Sequence, residues 1–277
     1  MCGIVGVVGN SNAVDILIQG LEKLEYRGYD SAGIYVTDAP DKGSLVKSIG
    51  RIADLRAKIS SDVKGKTGIG HTRWATHGQA TEDNAHPHTS ETGRFVLVHN
   101  GVIENYLQIK EEYLQGHKFK GQTDTEIAVH LIGKFVDEDG LSVLEALKKS
   151  LHIIQGSYAF ALVDSQAPDT IYVAKNKSPL LIGVGEGYNM VCSDAMAMIR
   201  ETSQFMEIHD KELVVLTKDA ITVTDYEGNA IERGTYTAEL DLSDIGKGTY
   251  PYYMLKEIDE QPTVMRKLIS TYADDEG

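Results

Sequence analysis

Cysteine is scarce in this chain, with only Cys2 and Cys192 among 277 residues. Two cysteines are too few for a disulfide framework in a chain of this length, so we predict that both are free thiols. Cys192 falls in a predicted strand and is interpreted as a core residue. Cys2 therefore remains as the thiol to examine for chemistry.

Long apolar runs and positive charge are also lacking. No stretch approaches the roughly 20 apolar residues that a membrane helix needs, and the apolar start at residues 1–9 lacks the basic region of a signal peptide. The 27 Lys and Arg residues are outnumbered by 41 Asp and Glu, which gives a formal net charge of -14. Negative charge repels phosphate backbones and anionic lipids at long range. We therefore expect a cytoplasmic protein that binds neither nucleic acid nor membrane.

Motifs for phosphate and metal binding are missing as well. Neither the G-x-x-x-x-G-K-[ST] loop nor the G-x-G-x-x-G loop occurs, so we predict no nucleotide hydrolysis and no cofactor. Zinc-finger spacing and the H-E-x-x-H motif are absent too, and no metal is expected. A histidine-rich zinc module nevertheless stays as an alternative, because five histidines fall within thirty residues: His71, His77, His86, His88 and His99.

The apolar patterns that are present predict an α+β fold, because strands and helices come in separate runs. Strands are predicted at residues 2–9, 31–37, 44–49, 67–71, 95–99, 158–163, 170–174, 180–184, 190–192, 213–216 and 221–224. Helices are predicted at residues 12–26, 52–59, 105–115, 125–136 and 141–154. Beyond these, a polar connector precedes a helix at 252–260 and a second helix that starts near Pro262. We predict one domain at residues 2–240 and a connector at 241–277.

Cys2 has the arrangement of a nucleophile that carries its own base. Removal of Met1 leaves a thiol and a free α-amino group on one residue. The reference pKa of cysteine is about 8.5 and that of an α-amino group about 7.7 to 8.0, so near neutral pH part of the amine is free to take the thiol proton. The alternative is that Cys2 is only a small apolar residue opening a buried strand.

The loop after the strand at 67–71 offers groups that bind an amino acid. Arg73 can make a bidentate pair with a carboxylate, and Thr76 and His77 can add donors to the same group. Binding sites are often built on loops at strand ends. The alternative for Arg73 is a surface salt bridge.

Two further positions fit the chemistry of an amide. Asn100 and Gly101 are predicted to end a strand in a turn, where the Gly101 N–H and the Asn100 amide can converge on a developing oxyanion. As an isolated pair they would indicate only a turn. Asp124 stands at a predicted helix start capped by Thr123, where it can pair with a substrate ammonium or simply favour the helix dipole.

Six motifs follow one another from residue 2 to residue 126. They are Cys2-Gly3-Ile4-Val5-Gly6, Tyr26-Arg27-Gly28-Tyr29-Asp30-Ser31, His71-Thr72-Arg73-Trp74-Ala75-Thr76-His77-Gly78, Asn84-Ala85-His86-Pro87-His88, His99-Asn100-Gly101 and Thr123-Asp124-Thr125-Glu126. Together they resemble the class II glutamine amidotransferases, and within that family the glucosamine-6-phosphate synthases. The resemblance implies an N-terminal-nucleophile hydrolase fold, a four-layer αββα sandwich with two antiparallel sheets.

The resemblance also implies a role for each motif residue. Cys2 attacks the glutamine amide with its own amine as base, Asn100 and Gly101 hold the oxyanion, and a glutamyl thioester forms and is hydrolysed. By the same resemblance, the substrate carboxylate is bound by Arg73, Thr76 and His77, and its ammonium is bound by Asp124. Arg27 helps to organise the nucleophile, and Trp74 belongs to a loop that closes over glutamine.

Residues 252–262 are similar to the family's connector into a sugar isomerase half that binds fructose 6-phosphate. We therefore expect a glutaminase module of an enzyme that makes D-glucosamine 6-phosphate from D-fructose 6-phosphate and L-glutamine. The full-length enzyme is expected to be a homodimer, and this chain a monomer or weak dimer. The alternatives are the glutaminase domain of another class II amidotransferase and a glutamine-binding module without turnover.

Overall fold

The computed structural model describes residues 2–75, 78–238 and 253–272. Two compact units are present, Met1–Glu239 and Leu240–Gly277. The described part of the first unit holds two β-sheets and five α-helices, and that of the second unit is one helix. Strands and helices thus follow one another as the α+β prediction requires.

The helices of the first unit are α1 Ala13–Leu24, α2 Ile52–Lys58, α3 Tyr106–Tyr113, α4 Asp124–Asp137 and α5 Val143–Ile153; the second unit has α6 Tyr253–Tyr272. The first seven strands are β1 Gly3–Val8, β2 Ser31–Thr37, β3 Ser44–Ile49, β4 Thr67–Arg73, β5 His88–Thr89, β6 Phe95–Ile103 and β7 Gly156–Asp164. The others are β8 Ile171–Asn176, β9 Leu181–Val184, β10 Asn189–Cys192, β11 Gln204–Glu207, β12 Glu212–Leu216, β13 Ile221–Asp225 and β14 Tyr236–Thr237.

The larger sheet places the start of the chain in its interior. Its strand order is β14-β11-β9-β10-β1-β4-β2-β3. β1 is antiparallel to both of its neighbours, β10 and β4, so its backbone is hydrogen-bonded along both edges. Gly3 lies opposite Thr72 in this register, which brings the residue before β1 next to the end of β4.

The smaller sheet has the order β13-β12-β8-β7-β6-β5 and is also antiparallel. Its longest pairing joins β6 to β7, from Phe95 opposite Asp164 to Ile103 opposite Gly156. This long β6 strand carries the Asn-Gly pair that the sequence analysis singled out.

The two sheets pack against each other and helices cover their outer faces, which forms an αββα sandwich. Three apolar layers lie between these elements. Because side chains alternate along a strand, Ile4 and Val8 of β1 face the smaller sheet, whereas Val5 and Val7 pack against α1 and α2. In the smaller sheet, even and odd positions of β6 likewise divide between the layer that separates the sheets and the layer under α3, α4 and α5. The N-terminal-nucleophile hydrolase architecture implied by the resemblance is confirmed.

The prediction that Asn100 and Gly101 end a strand in a turn is wrong. β6 continues through both residues to Ile103, with Asn100 opposite Ala159 and Gly101 opposite Tyr158. Gly101 has a φ of 136°, a backbone conformation that essentially only glycine adopts. The glycine therefore distorts a continuing strand, and it does not close a turn.

The prediction of two helices divided near Pro262 is also wrong. α6 runs without a break from Tyr253 to Tyr272 with Pro262 inside it. Proline lacks the N–H for one helical hydrogen bond, but the helix continues through it when the flanking turns keep theirs. Among the described residues, no helix has both the length and the apolar character needed to cross a membrane.

Other sequence predictions are confirmed, with three strands missed. Every predicted strand of the first unit has a counterpart, and Thr123 caps α4 by accepting the Glu126 N–H. The missed strands β5, β11 and β14 have two to four residues, too few for a period-two pattern to be recognised.

Candidate active site

Cys2 lies where the central strand β1 begins and its neighbour β4 ends. The Trp74 N–H donates to the Cys2 Sγ at 3.3 Å, and the Sγ lies 3.7 Å from the Trp74 carbonyl oxygen. The Cys2 side chain is partly exposed, unlike the buried residues of β1 that follow it. Its thiol is therefore reachable from a cleft at the strand ends.

Two side chains from distant parts of the sequence hold the Cys2 carbonyl oxygen. Arg27 donates to it from Nε at 3.2 Å, and Asn100 donates from Nδ2 at 3.1 Å. Arg27 is itself buried, and its Nη1 lies 3.3 Å from Asp194 Oδ2, which also accepts the Tyr26 hydroxyl at 2.9 Å. Charge-assisted bonds of this kind restrain geometry strongly. The backbone of Cys2 is thus fixed while its thiol stays in the cleft.

The Asn100 side chain is oriented from behind by His71. Its Oδ1 lies 2.9 Å from His71 Nε2, so its Nδ2 is turned toward Cys2. An amide NH₂ has two hydrogens, of which one is donated to the Cys2 carbonyl. Gly101 follows in the cleft wall, where a Cβ would lie 2.1 Å from the Ser157 carbonyl oxygen. Only glycine fits at this position.

Burial raises the pKa of the Cys2 thiol above its ordinary value, and the hydrogen bond from the Trp74 N–H partly offsets that increase. The Asp30 carboxylate raises the pKa of Cys2 further, whereas Arg73 lowers it. The thiol is therefore protonated near neutral pH, and nucleophilic attack requires a base.

Histidines near the cleft do not supply that base. Burial lowers the pKa of His71 to about 3 and keeps the pKa values of His86, His88 and His99 below the ordinary value. His71 and His86 stack with ring centroids 4.1 Å apart. These rings are neutral near pH 7 and act as packing and hydrogen-bonding groups. The fifth clustered histidine, His77, lies outside the described residues.

Arg73, the last residue of β4, is buried and bridges the loop that follows it. Its Nη1 donates to the Gln79 carbonyl at 3.1 Å, and its Nη2 donates to the Gly78 carbonyl at 3.3 Å. Asp30 holds the nearer part of the loop by accepting the Ala75 N–H. The predicted carboxylate donors Thr76 and His77 lie outside the described residues.

Asp124 forms the opposite side of the cleft at the start of α4. Its Oδ2 accepts the Ile103 N–H at 2.8 Å, which fixes the carboxylate against the end of β6. A cation, an anion and a thiol therefore share one cleft. Its lining residues are Cys2, Arg73, Trp74, His86, His99, Gly101, Thr123, Asp124 and Thr125.

The cleft is narrow and Trp74 stands at its exposed side. Its volume is about 30 Å³. Trp74 is 47% exposed and meets the Tyr29 ring edge-on at 5.4 Å, and the Arg51 guanidinium lies over the Tyr29 ring at 5.7 Å.

Sequence reasoning missed several residues that shape the site. Asp194 has no sequence signal, because it meets Arg27 across 167 positions of the chain. Asp30 and Gly28 belong to the Tyr26–Ser31 motif, but no role was assigned to them. A Cβ on Gly28 would lie 2.6 Å from the Arg73 carbonyl carbon, so glycine is required for the two segments to meet.

Comparison with known proteins identifies the family. Residues 50–234 match the model of the glutamine amidotransferase domain, which is more than half of the chain. This chain belongs to the glutamine amidotransferase family. Its whole length is 83% identical to the glutamine--fructose-6-phosphate aminotransferases [isomerizing] of Streptococcus pyogenes serotype M6 and Streptococcus mutans serotype c, and 80% identical to that of Streptococcus pneumoniae. The chain spans 46% of the length of each of these curated relatives.

Solved structures with the same fold include amidotransferases. The glutamine phosphoribosylpyrophosphate amidotransferase from B. subtilis is 29% identical and superposes with a TM-score of 0.71 over 83% of this chain and 50% of that chain. An allosteric regulatory enzyme of purine biosynthesis is 30% identical, with a TM-score of 0.72 over 82% of this chain and 50% of its own.

Proposed function

We propose that this chain hydrolyses L-glutamine to L-glutamate and ammonia, with Cys2 as the nucleophile once Met1 has been removed. The observation that carries the proposal is the cleft shared by the Cys2 thiol, the Arg73 guanidinium and the Asp124 carboxylate. A cation for the α-carboxylate and an anion for the α-ammonium suit a free amino acid whose side chain reaches the sulfur. Membership of the glutamine amidotransferase family supports glutamine as that amino acid.

The base in this proposal is the α-amino group of Cys2 itself. The raised pKa of the thiol means that its proton must be transferred during the attack. The nearby histidines stay neutral because burial lowers their pKa values, and His71 is already engaged with Asn100. The α-amine of a processed Cys2 has a reference pKa of about 7.7 to 8.0, which suits proton transfer near neutral pH.

The reaction then proceeds in two balanced steps. The Cys2 Sγ forms a bond to the side-chain amide carbon, the C–N bond breaks, and ammonia leaves with the proton that the amine took from the thiol. Water next attacks the thioester carbon, releases glutamate and returns the thiol. Asn100 and the Gly101 N–H stabilise the oxyanion of both steps. Stabilisation of a developing charge by fixed donors is usually the largest single contribution to the rate enhancement.

The remaining site residues bind glutamine or position the nucleophile. Arg73, with Thr76 and His77, takes the α-carboxylate, and Asp124 takes the α-ammonium. Trp74 covers the bound substrate, consistent with its exposed position in the lining of the cleft. Arg27 acts as a positioning residue through its bond to the Cys2 carbonyl.

The same relatives support a wider proposal for the whole protein. We propose that it transfers the ammonia to D-fructose 6-phosphate and forms D-glucosamine 6-phosphate in the cytoplasm. In this proposal the whole protein is a homodimer, and residues 241–277 connect the glutaminase domain to a sugar isomerase half of the same chain. Consistent with a connector, α6 exposes a set of large apolar side chains that a further segment can cover: Met254, Leu255, Ile258, Val264, Met265, Leu268, Ile269 and Tyr272.

The experiment that tests the glutaminase proposal measures glutamate and ammonia released from L-glutamine by this chain. We expect equal amounts of the two products, and Cys2→Ala should bind glutamine without releasing either. Glutamine binding without turnover by the processed, unsubstituted chain would instead support a sensing module. Full activity in Cys2→Ala would exclude Cys2 as the nucleophile.

A further inference from the structure

A second group of polar side chains converges outside the Cys2 cleft. Glu91, in the turn between β5 and β6, meets His117, after α3, and His130, on α4. One ligand atom from each residue lies within 4.8 Å of the other two. None of the three lines the Cys2 cleft, and His117 and His130 are outside the histidine group at residues 71–99.

The distances between these atoms suit a single small cation. His117 Nδ1 lies 2.9 Å from Glu91 Oε2 and 3.4 Å from His130 Nδ1. Two ligand atoms that each lie about 2.1 Å from one zinc ion are roughly 3.0 to 3.4 Å apart, depending on the angle at the metal. The two imidazole rings do not stack, since their centroids lie 5.6 Å apart and their planes are tilted by 56°.

Each ligand is also held from outside the group. Glu138 Oε1 lies 3.2 Å from His117 Nε2, an arrangement in which a carboxylate orients a metal-binding histidine by its other nitrogen. The second oxygen of Glu91 accepts the Lys118 N–H at 3.2 Å, and the His130 ring packs on Phe119 at 4.6 Å.

Charge favours a cation at this point. His117 has a carboxylate at each ring nitrogen, Glu91 at Nδ1 and Glu138 at Nε2. His130 is buried.

We propose that Glu91, His117 and His130 bind a divalent transition-metal ion, with zinc as the best match. Two imidazoles and one carboxylate form a ligand set that zinc uses, and the open cleft beside His117 leaves a fourth position for water. Mg²⁺ and Ca²⁺ prefer oxygen ligands, so they should bind poorly. Because the three ligands come from three segments, the ion would tie the α3–α4 connection to the β5–β6 turn.

The test is calorimetric titration of the full chain with ZnCl₂ in a Cys2→Ala background, which removes the reactive thiol as a competing ligand. We expect one equivalent to bind, with proton release seen as a dependence of the heat on the buffer. His117→Ala should weaken binding at least 100-fold, and Glu138→Gln about 10- to 100-fold. The matched control His209→Ala, at an exposed histidine outside the group, should bind as the parent does.

Two outcomes would overturn the proposal. One is the absence of zinc binding by the parent. The other is equal affinity in the parent and in His117→Ala, which would place the zinc elsewhere. Glu91→Gln provides a second variant at an exposed position, so the test does not depend on the folding of a variant in buried His130.

Discussion

The two cysteines of this chain differ in their surroundings, not in the direction in which burial shifts their pKa values. Burial raises the pKa of both thiols, of Cys192 even more than of Cys2. Cys192 is fully buried in β10, where its Sγ donates to the Asp194 carbonyl at 2.9 Å. Cys2 is partly exposed in a cleft and carries, once processed, an amine of its own.

Thiol acidity alone therefore does not single out Cys2 as the proposed nucleophile. Access to the cleft, a base on the same residue and an amide donor at Asn100 distinguish Cys2 from Cys192.

Replacing each cysteine by alanine should give the largest difference in activity. Cys2→Ala should lower the rate of glutamine hydrolysis by roughly 10⁴-fold or more, because no nucleophile remains. Cys192→Ala should leave the rate within about twofold, because Cys192 does not line the cleft. Initial rates of glutamate release measure both. Loss of activity in Cys192→Ala, with its fold intact, would break the distinction.

Removing the Asn100 amide should have the next largest effect. Asn100→Ala should lower kcat by about 10²- to 10³-fold, since it deletes the proposed oxyanion donor and the bond to the Cys2 carbonyl. Asn229→Ala, in the exposed turn after β13, is the matched control. A normal kcat in Asn100→Ala would remove the oxyanion role.

Arg73→Ala should act mainly on substrate binding. Loss of a charge-assisted pair worth about 1.5 to 3 kcal/mol should raise KM by roughly 10- to 100-fold. Arg56→Ala, which breaks only an exposed ion pair with Glu22, should leave KM unchanged. An unchanged KM in Arg73→Ala would move the carboxylate site elsewhere.

The pH profile tests which group takes the proton. The raised pKa of Cys2 keeps the thiol protonated, so activity depends on the fraction of free amine. kcat/KM should therefore fall about tenfold per pH unit below a pKa near 7.7 to 8.0. A profile that stays flat down to pH 6 would contradict the amine as base.

The effect on stability should be larger for substitution of Cys192 than for substitution of Cys2, the opposite of the effect on activity. Cys192→Ala removes a fully buried side chain from the layer between the larger sheet and its helices and should cost about 1 to 2 kcal/mol of unfolding free energy. Cys2→Ala should cost less, because the Cys2 side chain is partly exposed. Urea unfolding of both variants measures the difference.

Sequence patterns predicted which segments form helices and strands better than they predicted the residues at which these helices and strands end. The spacing of apolar residues located α1 to α5 and every longer strand, because those patterns are local. The Asn100-Gly101 pair was interpreted as a turn because its local signal is that of a turn. Pairing with β7 carries β6 through it. Likewise, the apolar pattern on both sides of Pro262 did not indicate whether the helix would break there.

Those residues of the site that belong to recognisable motifs could be predicted from the sequence. Cys2, Arg73, Gly101 and Asp124 were named from the sequence, and all four line the cleft. The support around them depends on contacts between distant positions, such as Arg27 with Asp194 and His71 with Asn100. Such contacts follow from the sheet register, which the residue pattern alone does not specify. The same holds for Glu91, His117 and His130.

The most direct test of the central claim compares the processed protein with a form that retains Met1, each verified by intact mass. Both forms have the same Cys2 thiol, but only the processed form has an α-amine on that residue. We expect glutamate release by the processed form and at most a trace by the form with Met1. Equal turnover by the two forms would contradict the proposal that Cys2 supplies its own base.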